Sequence, residues 1–168
     1  MAMTKEMIEK VAKTAAAMSN GVTTIADVKG ITAKELAAVY RVGHGYYTTG
    51  RFEEAEKVFY FLCLLEHTDA KFWTALGAAR QARKNYKDAI EAYACATLLD
   101  MHLPKPHYYA AECALMQGNL DMAESGVRSL LELCTTGDET SNRFRAKALK
   151  MKEVIDRLRE QKKNGGVK

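Results

Sequence analysis

The chain repeats itself with a period of 34 residues, and few folds tolerate that constraint. Gly77 stands 34 residues after Gly43 and 34 before Ala111. Ala89 falls between Ala55 and Ala123 on the same step, Tyr93 between Phe59 and Val127, and Ala96 between Leu62 and Leu130. Phe52, Tyr86 and Leu120 form a further column, and Gly50 and Gly118 bracket Lys84. Small, aromatic and aliphatic classes each keep their own column, which chance alignment rarely produces. The repeats are Leu36 to Asp69, Ala70 to Leu103 and Pro104 to Gly137.

Each unit has the spacing of two antiparallel helices joined by a tight turn. Helices that pack closely need a residue without bulk where they touch. Gly43, Gly77 and Ala111 are therefore expected to meet Ala55, Ala89 and Ala123, with Phe59, Tyr93 or Val127 filling the space towards the next pair. The order of Trp73, Leu76-Gly77, Tyr86, Ala89, Tyr93 and Ala96 resembles a tetratricopeptide repeat. The expected fold is all-α: a solenoid of three helix pairs that buries one continuous core and leaves a concave face open.

The flanks fit this plan. Met3, Met7, Val11, Ala15 and Met18 recur at steps of three and four, an apolar stripe along a first helix in a segment covering residues 1–35. A lone amphipathic helix of this length is marginal in water, so the stripe needs the body of the chain or a second copy as partner. Thr24 to Asp27 opens a short helical turn that Gly30 closes. Thr32 and Glu35 form a capping-box pattern before the first repeat. Asp69 is a helix cap, Pro104 a first helical residue, and Gly118-Asn119 a turn. Residues 138–161 form the expected capping helix, with Phe144, Ala148, Met151, Ile155 and Leu158 on one face. Residues 162–168 are expected to be a disordered basic tail.

Charge is unevenly placed. The formal net charge is +4, yet the segment from Arg143 to Lys168 holds ten basic and three acidic residues, so the rest of the chain is mildly acidic. The basic character belongs to the C-terminal end and not to a groove, which speaks for solubility and against a nucleic-acid site. Cys63, Cys95, Cys113 and Cys134 lack C-x-x-C spacing and lie in apolar helical runs, as expected of a protein of the reducing cytosol. The first residues are broken up by Lys5, Glu6, Glu9, Lys10 and Lys13, unlike a secretory signal, and no apolar run reaches membrane-spanning length.

Helical projection places Ala37, Tyr40, His44 and Tyr47 of the first repeat on the concave side. Lys71, Thr74, Ala78 and Gln81 follow from the second, and Lys105, Tyr108, Glu112 and Leu115 from the third. Aromatic, small and hydrogen-bonding side chains together suit an extended peptide. Lys71 and Lys105 alone do not make a clamp for a terminal carboxylate, which needs convergent cations and amides. His44, His67, His102 and His107 have neither metal-ligand spacing nor a partner set, and His67 and His102 suit the ends of helices. No Gly-rich phosphate loop and no Cys-His nucleophile signature is present, so neither a catalytic site nor a cofactor is expected.

Beyond the generic repeat, the stretch from Gly21 to Gly126 resembles a class II chaperone of bacterial type III secretion. L-G-A-x-x-Q at Leu76 to Gln81 and A-E-C at Ala111 to Cys113, after the paired tyrosines, carry that resemblance. It implies a cytoplasmic, non-enzymatic chaperone that keeps hydrophobic translocator proteins soluble and fit for export. It further implies that an extended translocator segment with spaced proline and leucine anchors lies in the concave groove. Tyr40 and Tyr47 are the aromatic positions carried over, and His44 stands where relatives often have an aromatic. The family commonly pairs through its N-terminal helix, where the Met3, Met7, Val11, Ala15 and Met18 stripe lies. Some members assist a transcriptional activator after the cargo has left, which makes such an activator a further candidate partner. One departure is charge, since relatives tend to be acidic. On the residues alone, a repeat scaffold joining two folded proteins stays open as the alternative.

Overall fold

The computed structural model describes residues 23–135 and 137–165, together with Glu9, Ala12, Lys13, Ala16, Ala17 and Asn20. Met3, Met7, Val11, Ala15 and Met18, the expected pairing stripe, lie outside the described residues. From Ile25 onward the described residues form eight helices and no strand: α1 (Ile25–Lys29), α2 (Ala33–Thr48), α3 (Phe52–Leu65), α4 (Ala70–Ala82), α5 (Tyr86–Leu99), α6 (Pro104–Met116), α7 (Leu120–Leu133) and α8 (Glu139–Gly165).

The boundaries follow local chemistry. Thr24 and Asp27 close a capping box on α1, as do Thr32 and Glu35 on α2, each satisfying backbone N–H groups that a helix start leaves open. Asp69 accepts from the Lys71 N–H, Asn119 from that of Met122, and Pro104 opens α6 where no N–H is needed. Gly50, Lys84 and Gly118 occupy one column of the repeat and share a left-handed backbone, with φ of 78°, 63° and 75°. Lys84 adopts it although it carries a Cβ, because the turn demands that conformation whatever residue fills the column.

The helices pair as α2/α3, α4/α5 and α6/α7, and each pair packs on the next through α3 against α4, α5 against α6 and α7 against α8. The close approach differs from the expected alanine contact. A Cβ on Gly43 would lie 2.7 Å from the Phe59 ring, and one on Gly77 2.7 Å from the Tyr93 ring. The glycine thus makes room for the aromatic four residues after the column alanine. In the third pair Val127 stands where the ring does, and Gly126 fills the role: a Cβ there would stand 2.8 Å from that of Ala111.

α8 covers the flank of the third pair, burying Phe144, Ala148, Met151 and Ile155 with Val127 and Leu130. Leu158, expected on the same face, is 37% exposed. The helix overruns the start of α7 here: Arg159 reaches Asp121 and Glu124 in the first turns of α7, the latter at 2.7 Å. It continues through residues 162–165, where a disordered tail was expected, and residues 166–168 lie outside the described residues. The Arg159 side chain is 37% exposed and Asp121 93% exposed, so the contact is weak in water. Arg159→Gln is expected to change unfolding free energy by no more than about 1 kcal/mol in urea titration. A larger loss would mean that the ion pairs, and not the buried face, hold the cap.

Candidate functional site

The first helices of the three pairs, α2, α4 and α6, line an open cleft of about 650 Å³. Its walls carry Tyr40, His44 and Tyr47 from α2, Lys71, Thr74, Ala78 and Gln81 from α4, and Lys105, Pro106 and Tyr109 from α6, with Leu103 just before α6. Phe59 and Tyr93, from the second helices, contribute from below.

The aromatic walls are held by the core. The Tyr40 ring lies 5.5 Å from Phe59 and 6.0 Å from Phe72, both buried, and 6.4 Å from His44. Lys71 sets its ammonium 4.1 Å above the Tyr40 ring, a cation–π contact on the cleft side. Burial raises the pKa of the Tyr40 hydroxyl. Tyr47 packs edge-on against Phe52 at 5.4 Å, and Tyr109 stacks on Tyr93 at 5.8 Å. Such rings are fixed before a ligand arrives, which lowers the ordering cost of binding.

The polar groups are fewer. The Thr74 hydroxyl donates to the Ala70 carbonyl at 2.7 Å, so Thr74 lines the wall without offering its proton. Gln81 accepts from the Tyr93 hydroxyl at 2.8 Å and donates to Glu112 at 2.6 Å. Glu112 also accepts from Tyr108 at 3.0 Å. Burial, and then the Glu112 carboxylate, pushes the Tyr108 hydroxyl up to about 12.

Of the expected groove residues, Tyr40, His44, Tyr47, Lys71, Thr74, Ala78, Gln81 and Lys105 come together in the cleft. Ala37, Tyr108, Glu112 and Leu115 do not line it. In the third repeat Glu112 is taken up by Gln81 and Tyr108, and for Tyr108 and Leu115 the reason is α8. The Tyr108 ring rests 5.8 Å from Phe144 with Lys147 4.8 Å above it, and Leu115 packs into the core beneath the capping helix. The open wall therefore turns one residue onward to Tyr109. Repeat register alone missed Pro106 and Tyr109, and the second-helix rings Phe59 and Tyr93. The adjacent Tyr108-Tyr109 pair was the available signal, because neighbouring helical residues face different sides.

Burial pushes the Cys63 and Cys113 thiols up to about 12, opposite to what an activated nucleophile requires. Among the described residues no three His, Cys, Asp or Glu side chains gather for a metal, and no helix is long and apolar enough to cross a membrane.

The tetratricopeptide repeat family matches residues 36–69 and 70–101. The chain is 37% identical over 138 residues to the low calcium response locus protein H of Yersinia pestis, covering 79% of this chain and 82% of that protein. A dimer form of the type III secretion translocator chaperone SycD of Yersinia enterocolitica superposes with a TM-score of 0.72 at 35% identity, covering 77% of this chain and 98% of the solved SycD chain. The chain belongs to the translocator chaperones of type III secretion. Another member, PcrH of Pseudomonas aeruginosa, has been solved with the chaperone-binding region of PopD. That structure matches this chaperone with a TM-score of 0.73 at 34% identity, over 77% of this chain and 97% of the solved PcrH chain.

Proposed function

We propose that this chaperone holds an extended segment of a hydrophobic translocator protein in the cleft between α2, α4 and α6, in the bacterial cytoplasm and without catalysis. The observation that carries the reading is the cleft itself: fixed rings of Tyr40, Tyr47 and Tyr109 line it together with the small Ala78 and the polar Gln81. Apolar anchors of a segment find the spaces between rings, and its main chain finds the polar groups. PcrH solved with a translocator's chaperone-binding region supports the same partner class.

The test is co-expression with candidate hydrophobic translocators from the same operon, followed by size-exclusion chromatography with light scattering. A soluble complex that depends on the chaperone is the expected result. Translocators that precipitate regardless, while the chain co-purifies with folded proteins, would favour a scaffold. We further propose that residues 1–20 carry the homodimer contact through Met3, Met7, Val11, Ala15 and Met18. Deleting residues 1–20 is then expected to halve the mass in solution, and an unchanged mass would count against it.

A further inference from the structure

One side-chain amide in the cleft is fixed from both sides. Gln81 is half-buried on α4, with Oε1 facing the Tyr93 hydroxyl at 2.8 Å and Nε2 facing a Glu112 oxygen at 2.6 Å. A carboxylate only accepts, so the amide must turn its NH2 towards Glu112 and its carbonyl towards Tyr93. Tyr93, whose hydroxyl could otherwise accept, is then obliged to donate. Its ring is fully buried and cannot swing away. Glu112 takes a second hydrogen bond from Tyr108 and forms no ion pair among the described residues. The chain of bonds joins the second repeat to the third with one polarity.

This leaves Gln81 with one amide hydrogen that has no partner among the described residues, on a side chain that lines the cleft. An extended segment brings a carbonyl with every residue, and each loses water on entering. Nearby on α4 the Thr74 hydroxyl is engaged with the Ala70 carbonyl, and Lys71 sits over the Tyr40 ring. Gln81 is therefore the neutral donor that α4 offers at the junction of the second and third repeats, where α6 adds the Tyr109 hydroxyl; of the two, only the Gln81 amide is held in one polarity by partners on both sides.

We infer that Gln81 donates this hydrogen to one main-chain carbonyl of the bound translocator segment and so sets the register of that segment in the cleft. Tyr93 and Glu112 are positioning residues that keep the amide turned as a donor. The inference rests on the groove reading above.

Titration calorimetry of the full chain with the chaperone-binding region of PopD as probe peptide tests it. Gln81→Met, which keeps the length and removes the donor, is expected to bind about tenfold more weakly, as loss of one desolvated hydrogen bond implies. Glu112→Gln, which can accept or donate and so no longer dictates polarity, should also weaken binding. The register is read with probe peptides carrying one thioamide each, a poorer acceptor than the native carbonyl. One position should lose most affinity against the wild type, and that loss should vanish against Gln81→Met; a merely structural role would shift all probes alike. Binding of Gln81→Met within twofold of wild type, or an unchanged thioamide pattern, overturns the inference. An unweakened Glu112→Gln overturns the positioning role. If these fail while Ala78→Trp, which fills the cleft without touching the core rings, still abolishes binding, the groove reading survives alone. If Ala78→Trp binds normally, or the wild type does not bind, both fall.

Discussion

Tyr93→Ala is expected to lower the unfolding free energy by about 3–5 kcal/mol, the largest stability loss expected from a single change in this chain. The ring is wholly buried, contacts Gly77 of the paired helix, and stacks on Tyr109 of the next pair at 5.8 Å. Removing it opens a cavity at the joint of two repeats, where neither helix can collapse without losing its other neighbour. Tyr93→Phe keeps the ring and loses only the bond to Gln81, so about 1 kcal/mol is expected. Gly77→Ala decides whether the ring is the reason for the glycine. Its new methyl would meet the Tyr93 ring at 2.7 Å, an overpacking cost of about 1–3 kcal/mol that the better helix propensity of alanine, about 1 kcal/mol, offsets only in part. With Tyr93→Ala in place the clash is gone and the propensity gain remains. Gly77→Ala should then change sign and stabilise. Urea unfolding of the two single variants and the double variant checks this, and additive effects would rule out the steric account.

The same joint explains what the sequence could and could not say. Gly43, Gly77 and Ala111 announced close helix packing through their shared column, because a missing side chain leaves a periodic mark. Their contact partner was harder to name, since a ring four residues beyond the column alanine reaches the glycine from its own helix. Capping residues were legible for the same local reason: Thr32 and Glu35 act on backbone three residues away and need no tertiary context. The third repeat's share of the cleft was not legible. Tyr108 and Leu115 hold groove positions by register, but α8 lies across them, and no property of residues 104–137 announces a neighbour that comes later in the chain. The network from Tyr93 through Gln81 to Glu112 was hidden as well, because it joins three helices and residues up to 31 positions apart. Gln81 and Glu112 could be placed near the concave side from sequence, but only the packing of α4 on α6 makes them partners.

Loss of translocator binding by a hundredfold or more is expected for Tyr40→Ala combined with Tyr47→Ala. Truncating a well-packed aromatic contact typically costs about 2 kcal/mol or more, and two such contacts exceed that factor. Tyr40 also supports Phe59 and Phe72, so part of any loss in this variant could come from a loosened core. Ala78→Trp separates the causes. Ala78 is half-buried at the middle of α4 and lines the cleft, so an indole there enters the space meant for cargo while the original core contacts stay in place. Helix propensity changes little enough for the fold to persist. Light scattering of co-expressed complexes and thermal melting of the free chaperone should together show an unbound but folded protein. If Ala78→Trp still binds cargo as the wild type does, the cleft is not where the segment lies, and the loss in the tyrosine variant must be assigned to stability.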